Sequence, residues 1–537
     1  MSQEQHPVPP MNGIEPRFDD VDDGRSCADS IDSDLKTKPT NTLGSVQLRN
    51  PITNDIILVP TPSNDPNDPL NWSRGYRIYI ALISCAAIFM AQFLAAGPSV
   101  DMIGIVEDIF GISPSDPGYS SSLAKMSYAF SGASLAQGMS NLIYMPLIIK
   151  YGRRPVYIIS FLIYGGCALW AGLAKGYSSE LAARLIMGFA GGSAECVAPL
   201  TIADTFFLHE RGLIMSYYSA ALSCGVSGGI ILSGLITIHQ SWRVIYYVAA
   251  GMIWTLVLLI IFTMPETAYQ RKIPDLPEEP NKASDEPHAI HRETAIPPKK
   301  SYSQRMRLLN PAFTQESLFT LFWRPVPLLF LPSVLWGTLA MSVAIGTFVA
   351  ICSNFATAFT TTYNWSTWQC GLTYMPFSLE PPLRRDGIRE PEMRLPTVTI
   401  SLILCPVSLI LYGVGIQKSL HWIVPVIGLG LLGFVITQVS NVALVYAIDA
   451  HRPIAGEVVV SQLSFKAAFG FLLSFYTNPW IDSSGYINAF GSLAGICAAV
   501  LIMWIPLYLW GRQIRVWSLG LWIMKGVRWE SDREVGE

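Results

Sequence analysis

Three charged residues interrupt one apolar run of the sequence, near residues 181–206, and their types allow proton chemistry. They are Arg184, Glu195 and Asp204, and Glu195 lies near the middle of the run. A charged side chain within a membrane is unfavourable unless it is paired or hydrated, so such residues often mark ion or substrate pathways. Because an apolar environment disfavours an ionised carboxylate, Glu195 can take up and release a proton. We therefore predict proton or substrate coupling at these residues.

Each of these charges also has a purely structural interpretation. Arg184 and Glu195 lie eleven positions apart, or about 16 Å along a helix axis, so they cannot pair with each other. Glu195 would then be a buried carboxyl bonded to a neighbouring helix, an alternative that we rank below proton coupling. For Asp204, which is nearer the end of the run, packing against Arg211 is the favoured explanation.

Lys466 is the corresponding cation in the second half of the chain, within the apolar run 456–479. It either partners a carboxyl across the bundle or extends its ammonium group to the membrane interface. We include it in the predicted coupling site and leave both interpretations open.

Polar residues on other apolar runs either line a central cavity or bond helices to one another. We predict that Gln92, Asn354 and Asn441 face the cavity, where they can form hydrogen bonds with a substrate.

The composition indicates a polytopic membrane protein. Of 537 residues, 51% are hydrophobic and 14% are charged, whereas soluble proteins carry about 25% charged residues. The nine cysteines are odd in number and scattered, which argues against a disulfide framework or a zinc site. The sequence shows no nucleophile–base set, no metal-ligand spacing and no phosphate-binding loop. We therefore predict that the protein is not an enzyme, binds neither metal nor nucleic acid, and uses the proton gradient without a cofactor.

Apolar runs of about 20 residues, long enough to cross a bilayer, fall into two groups. The first group lies near 78–98, 120–145, 155–174, 181–206, 213–237 and 244–265, and the second near 326–350, 396–416, 422–448, 456–479 and 487–510. We predict an N-terminal six-helix bundle at 77–265 and a C-terminal bundle at 326–511. A disordered tail at 1–76, a central loop at 266–325 and a tail at 512–537 complete the chain.

Basic residues predict the orientation through the positive-inside rule. A compact turn, Gly152-Arg153-Arg154, follows the second apolar run, and most other basic residues fall on the same side. That side is therefore predicted to be cytoplasmic, together with both termini and the central loop. The turn either only sets the topology or also holds carboxylates and helix ends through its guanidinium groups, which makes it a candidate conformational motif.

Several motifs resemble those of the major facilitator superfamily, and more narrowly its fungal drug:proton antiporter branch. They are Asn71-Trp72-Ser73, Tyr151-Gly152-Arg153-Arg154-Pro155, Arg184-Leu185-Ile186-Met187-Gly188, the segment from Ala203 to Gly212, Pro265-Glu266-Thr267 and the segment from Glu390 to Leu395. The resemblance implies an all-α integral membrane protein with two six-helix bundles that rock around a midplane cavity. It also implies a plasma-membrane monomer whose partners are lipid, protons and a small organic substrate.

Two departures from the family pattern affect its motifs. The family's loop signature starts with Gly and carries Asp four residues later, but Met145 and Ile149 occupy these positions. Span five lacks the Gly-Pro pair of antiporters and instead repeats a small residue at every fourth position, at Ala221, Gly225, Gly229 and Ser233. Such a face allows close helix packing, either as a seam that slides during transport or as a static contact.

The region after the seventh span is short for the eighth span that the family has. Only residues 371–379 are apolar between Asn364, a glycosylation acceptor in the outer loop, and the basic pair Arg384-Arg385. Nine helical residues cover about 14 Å, less than half of a hydrocarbon core of about 30 Å, although the charges require a crossing here. We therefore predict a truncated eighth span, either natural or caused by an error in the gene model.

The leading functional hypothesis is a secondary active transporter that exports drugs, toxins or secondary metabolites in exchange for protons. An importer of an organic cation such as a polyamine is the first alternative, because an anionic midplane residue suits a cationic substrate. A membrane sensor that keeps the fold without transport is the second alternative.

Overall fold

Helices dominate the structure. The computed structural model of the chain describes residues 46–47, 58, 60, 62–113, 116, 118–269, 298–308, 312–363, 388–389, 391–451 and 454–519. A chain within a membrane must satisfy its backbone polar groups inside each segment, and helices do so. Two short strands, β1 (Val46–Gln47) and β2 (Ile388–Arg389), pair in antiparallel fashion.

The amino-terminal half folds around a buried apolar cluster to which most of its helices contribute. Its helices are α1 (Arg74–Ala96), α2 (Met102–Phe110), α3 (Tyr119–Tyr151), α4 (Arg153–Leu173), α5 (Tyr177–Gly191), α6 (Ser193–Thr205), α7 (Leu208–Thr237) and α8 (Arg243–Thr263). Short 3₁₀ helices precede α1 at Pro69–Asn71 and follow it at Gly97–Asp101. The apolar run near 181–206 is thus divided between α5 and α6.

The carboxyl-terminal half has its own buried apolar cluster. The helices of the central loop and of this half are α9 (Tyr302–Arg305), α10 (Leu318–Trp323), α11 (Pro325–Leu328), α12 (Pro332–Tyr363), α13 (Val398–Gln417), α14 (Ile423–Ala450), α15 (Ala455–Ile502) and α16 (Trp504–Leu519). A 3₁₀ helix, Pro391–Thr397, precedes α13. Gly485, with a φ of +77°, breaks α15 into two helical segments, which correspond to the last two apolar runs of the sequence.

Nine stretches of the described residues are long and apolar enough to cross a membrane. The last of them, Ala455–Ser518, contains both segments of α15. Helix α3 is not among the nine, although its 33 residues run through the bundle, because many of them are serine, glycine, glutamine or asparagine. The predicted all-α membrane fold is confirmed.

The helix ends define two ends of the molecule. We call the end that holds Arg77, Lys150 and Arg324 the basic end, and it is the predicted cytoplasmic side. Arg77 pairs there with Glu210 at 3.2 Å. At the opposite end, Arg243 pairs with Asp108 at 2.8 Å.

The described residues on either side of segment 364–387 lie at opposite ends of the molecule. Tyr363, the last residue of α12, donates a hydrogen bond to the carbonyl oxygen of Leu420 at 2.6 Å, in the turn between α13 and α14. Beyond segment 364–387, Glu392 pairs with Arg515 at 2.8 Å at the basic end. The predicted truncated span at 371–379 and the predicted glycosylation acceptor Asn364 lie outside the described residues.

Residues 62–76, which the sequence analysis includes in the predicted tail, form specific contacts. Asp68 caps the 3₁₀ helix before α1, where it accepts hydrogen bonds from the N–H groups of Leu70 at 3.0 Å and Ser63 at 3.1 Å. Tyr269, beyond α8, donates a hydrogen bond to Asp65 at 2.9 Å. These contacts need partners far apart in the sequence, so composition alone does not reveal them.

The small-residue face of α7 packs within the amino-terminal bundle. A Cβ atom at Gly225 would lie 2.7 Å from the carbonyl oxygen of Phe89 in α1, and one at Gly229 would lie 2.9 Å from that of Phe93. Such a close approach lets the two backbones touch, as small-residue faces do in membrane bundles. The face therefore forms a close helix contact in this structure, as both the sliding and the static interpretations require.

We expect Gly225→Ala to lower the thermal stability of the detergent-solubilised protein. The new methyl group would overlap the α1 backbone, and overpacking of this kind costs about 1–3 kcal/mol. Gly228→Ala is the matched control, because its Cβ would lie 3.5 Å from the Phe89 ring and alanine favours a helix by about 1 kcal/mol over glycine. The melting temperature, followed by fluorescence-detected gel filtration, should fall for Gly225→Ala alone, and an equal response of the two variants would contradict the packing.

His451, between α14 and α15 at the basic end, is buried and shares a 2.7 Å hydrogen bond with the hydroxyl of Ser333. Burial first, and then the positive charge of Arg515, lower the pKa of His451 from 6.5 to about 4. The folded protein therefore keeps this imidazole neutral at pH values at which the unfolded chain protonates it.

This histidine should make the protein less stable in acid. Because the folded pKa is the lower one, its contribution is fully present above pH 6.5 and is lost as the pH falls towards 4, by about 3 kcal/mol in all. We expect His451→Gln to flatten the melting temperature between these pH values relative to the wild type. The exposed His421→Gln variant should keep the wild-type profile, and a His451→Gln profile as steep as the wild type would refute the assignment.

Candidate functional site

A central cavity of about 270 Å³ lies between the two halves. Its walls come from α1, α2, α3, α6, α7, α12, α14 and α15, and they are mostly apolar with serine and threonine hydroxyls interspersed. On α3, Ser127, Ser131 and Ser134 face the cavity together with Gln137. This polar face explains why α3 is less apolar than its neighbours.

Glu195 lines this cavity, lies in the first turn of α6 and is 4% exposed. One carboxylate oxygen accepts hydrogen bonds from the side-chain amides of Gln92 at 2.9 Å and Gln137 at 3.1 Å. The other lies 3.4 Å from the ammonium nitrogen of Lys466. Four helices, α1, α3, α6 and α15, therefore meet at one carboxylate.

Gly192 permits this convergence. A Cβ atom at this position would lie 2.2 Å from the carbonyl oxygen of Gln137 and 2.0 Å from the hydroxyl of Ser140. Only glycine allows α3 to approach the junction of α5 and α6 so closely. The close approach brings the Gln137 amide within reach of Glu195.

Lys466 pairs with a carboxylate of the other half of the chain. Of its two predicted positions, it therefore takes the one across the bundle from a carboxyl and not the one at the membrane interface. The lysine is 8% exposed and also lines the cavity. A buried charge is stable only when it is paired and hydrogen-bonded. The Glu195–Lys466 ion pair meets this requirement and joins the two halves at the cavity.

Arg184 lies elsewhere, nearer the opposite end of the molecule. Its guanidinium forms a 2.7 Å ion pair with Glu180, contacts the Tyr246 hydroxyl and stacks 3.5 Å from the centre of the Phe130 ring. Phe130 lines the cavity, so Arg184 reaches the site only through this ring. Glu180 was missed by our sequence analysis, although its position four residues before Arg184 allows a helical ion pair.

Asp204 lies at the basic end and pairs with Arg153 at 2.8 Å, a partner that the sequence analysis did not assign to it. Arg211, the predicted contact, donates a hydrogen bond to the carbonyl oxygen of Ala203 at 2.8 Å. The four predicted coupling residues thus occupy three places, and only Glu195 and Lys466 lie together.

The Gly152-Arg153-Arg154 turn is held by Glu266, which follows α8. Glu266 accepts hydrogen bonds from the backbone N–H groups of Arg153 at 2.8 Å and Arg154 at 3.1 Å. These are the first N–H groups of α4, and a carboxylate at a helix N-terminus is favourable. Gly152 adopts a φ of +97°, which only glycine tolerates well. Two motifs that the sequence places more than a hundred residues apart therefore form one unit.

The three predicted cavity residues differ in position. Gln92 lines the cavity and binds Glu195. Asn441 accepts a hydrogen bond from the Ser219 hydroxyl at 3.2 Å and so joins α14 to α7. Asn354 lies in α12, and its side chain is outside the described part of the structure.

The basic end of the cavity is closed by contacts between α3 and α15. A Cβ atom at Gly138 would lie 1.9 Å from that of Ala467, and Ser464 donates a hydrogen bond to the carbonyl oxygen of Gly138 at 3.1 Å. Nearer the basic end, Met145 packs directly on Gly456. Met145, which departs from the family signature, therefore contributes to closure by packing.

Polar contacts of the central loop also help to close the basic end. Glu316 forms an ion pair with Arg324 at 2.9 Å, and Arg324 also pairs with Glu457 in the first turn of α15 at 3.1 Å. Lys150, at the end of α3, donates a hydrogen bond to the carbonyl oxygen of Glu316 at 3.4 Å. Both halves are thus bound to the same loop.

The family model described as the Major Facilitator Superfamily matches residues 80–459. The chain belongs to the Major Facilitator Superfamily. It is therefore a multi-pass membrane transporter whose environment is lipid and whose cargo is a small molecule, and the predicted family is confirmed.

Relatives of this major facilitator chain include fungal transporters. An uncharacterized MFS-type transporter of Schizosaccharomyces pombe is 25% identical over 86% of this chain and 89% of its own length. The efflux pump FUBT of Fusarium oxysporum is 25% identical over 83% of this chain and 74% of its own length.

Solved structures share the fold. The human organic anion transporter MFSD10 aligns with a TM-score of 0.56 and 15% identity, over 81% of this chain and 100% of that one. The proton:xylose symporter XylE of E. coli aligns with a TM-score of 0.54 and 13% identity, over 81% and 97%.

We expect Gly138→Leu to open the basic end. A bulky side chain cannot fit between α3 and Ala467, so the bundles should separate there. Spin labels on the exposed positions Ser73 and Gln513, one in each half, report this separation through their distance distribution. Gly166→Leu is the control, since a Cβ there meets nothing within 4 Å. The distances should lengthen in Gly138→Leu only, and unchanged distances would show that this contact does not hold the end closed.

Proposed function

We propose that this transporter exports small amphipathic organic molecules in exchange for protons. The observation that carries the proposal is the Glu195–Lys466 ion pair, which joins the two halves within an otherwise largely apolar cavity. The similarity to fungal proteins named efflux pumps supports export as the direction.

The ion pair suits a proton-driven switch. When Glu195 binds a proton, it loses its charge and its attraction for Lys466, so the contact between the halves weakens. When it releases the proton, the pair forms again and favours the arrangement with a closed basic end. In this scheme the halves rock around the cavity, as in transporters built from repeats.

Exchange requires that substrate and proton bind in turn. A proton, the Lys466 ammonium group and the donor groups of a substrate all compete for the oxygens of Glu195. A substrate that binds the ionised carboxylate therefore drives the proton off, and a proton drives the substrate off, which is thermodynamic linkage. Gln92 and Gln137 hold the carboxylate at the cavity surface in either state.

The two alternatives receive less support. The argument for import of an organic cation was that an anionic midplane residue suits a cationic substrate. The charge of Glu195 is, however, balanced by that of Lys466. A sensor that keeps the fold without transport does not require a charge pair in its central cavity. We further propose, from the basic residues and the family resemblance, a plasma-membrane monomer with both termini in the cytoplasm.

The test uses inside-out vesicles from cells that overproduce the chain. A panel of amphipathic toxins and dyes that includes rhodamine 6G is scored for accumulation when a proton gradient is applied. The wild type should accumulate a panel member and dissipate the gradient as it does so. Gradient-driven uptake by Glu195→Gln should be at least tenfold lower than that of the wild type, because the amide cannot ionise. The variant should keep substrate exchange without a gradient.

Glu107→Gln serves as the control, since it removes an exposed carboxylate of α2 outside the cavity. It should transport like the wild type. Full gradient-driven uptake by Glu195→Gln would eliminate this residue as the exchange site, and failure of the wild-type vesicles to accumulate any panel member would count against export.

A further inference from the structure

A second cavity, of about 280 Å³, lies at the basic end, apart from the central cavity. We call it the interfacial pocket. Three separate parts of the chain form it: residues 67–72 before α1, residues 265–269 after α8, and residues 300–305 and 312–313 of the central loop.

Hydrogen bonds hold these three parts together. Asn67 accepts a hydrogen bond from the backbone N–H of Lys300 at 2.9 Å and donates one to the carbonyl oxygen of Pro298 at 3.2 Å. Tyr269 donates to Asp65 at 2.9 Å. The pocket is therefore a built cavity with walls fixed from several directions.

The carboxylates in and beside the pocket are already occupied. Glu266 accepts hydrogen bonds from four backbone N–H groups, those of Arg153, Arg154, Thr267 and Ala268, at 2.8–3.1 Å. Asp65 accepts from the side chain of Asn67 at 2.7 Å and from Tyr269. The oxygens of both carboxylates are thus already occupied by hydrogen-bond donors.

The two cations that line the pocket, Lys300 and Arg305, differ from these carboxylates. Lys300 and Arg305 form no ion pair with any residue that the structure describes. The guanidinium of Arg305 lies 5.7 Å from the ring centre of Trp72 and 5.8 Å from that of Tyr76, which fixes its position without neutralising it. Gln304 uses its carbonyl oxygen to accept from Ser301, so its amide N–H groups remain as donors.

The pocket lies at the level expected for lipid headgroups. Trp72 precedes α1 directly, and aromatic residues of this kind gather at membrane–water interfaces. Phe262, near the end of α8, and Tyr302, in α9, are 61% and 62% exposed, and the Tyr302 hydroxyl donates to the carbonyl oxygen of Phe262 at 2.6 Å.

We propose that the interfacial pocket binds a phosphate monoester through Lys300, Arg305 and the amide of Gln304. A phosphate is compact, carries the charge that these two cations require, and accepts several hydrogen bonds from guanidinium and ammonium groups. The same group is offered by a phospholipid headgroup that carries a phosphate monoester, such as that of a phosphoinositide, and by a soluble phosphate monoester.

Such a ligand would act on the conformational motif. Glu266, one wall of the pocket, also holds the first N–H groups of α4 beside the Arg153–Asp204 ion pair. A bound phosphate would fasten the central loop to this unit and so stabilise the basic end. A ligand that binds only the folded form raises its stability by an amount that grows with the logarithm of the ratio of ligand concentration to Kd.

The experiment uses the full chain in nanodiscs. One arm titrates inositol 1,4-bisphosphate, with inorganic phosphate as a minimal probe, against nanodiscs of phosphatidylcholine. The other arm compares phosphatidylcholine nanodiscs with nanodiscs that also contain phosphatidylinositol 4-phosphate, and scores retained lipid by native mass spectrometry. Arg305→Gln and Lys300→Gln should each weaken binding by about five- to tenfold, as expected for loss of one cation near an anionic lipid.

Lys299→Gln and Arg307→Gln are matched controls, because each removes one exposed cation beside the pocket without lining it. They should bind within twofold of the wild type. Binding in the soluble arm identifies a phosphate ester as ligand, and binding in the lipid arm alone identifies a headgroup. Either supports the proposal, whereas absence of binding in both arms, or equal losses in the control variants, overturns it. If Arg305→Gln fails to fold, the exposed Lys300→Gln variant carries the test alone.

Discussion

The structure depends on one buried ion pair, between Glu195 and Lys466. Each charge is costly when it is buried without its partner, and removal of one partner of a buried pair costs about 3–5 kcal/mol. Because the two residues belong to different halves of the chain, the requirement to pair them holds the halves in register. The amides of Gln92 and Gln137 complete the surroundings of the carboxylate.

Several other features follow from this requirement. Gly192 lets α3 approach closely enough to present Gln137, and Gly138 lets α3 lie against α15 just beyond the pair. The serine face of α3 gives the cavity polar groups at the expense of apolar character. The basic end is closed by packing at Met145 and by the Glu316–Arg324–Glu457 cluster, so closure does not depend on the residues that are missing from the family signature.

Much of the fold could be predicted from the sequence, because long apolar runs have few alternatives to a membrane-spanning helix. The importance of charges inside those runs could be predicted for the same reason. The partners of these charges could not be predicted, because Lys466 and Glu195 are 271 positions apart. Asp204 and Arg153 likewise lie on different helices. Glu180 could have been predicted as the partner of Arg184, because residues four positions apart lie on the same face of a helix. The structured turn around Asp68 was hidden by its polar, loop-like composition.

The central claim, that Glu195 exchanges a proton for substrate, is tested most directly by counting protons. A transported dye is added to the solubilised protein in weakly buffered solution over a range of pH, and the protons released on binding are measured with a pH indicator. The account predicts release by the wild type and none by Glu195→Gln, provided that both bind the dye. Equal release by the two proteins would place the exchanged proton on another group and contradict the account.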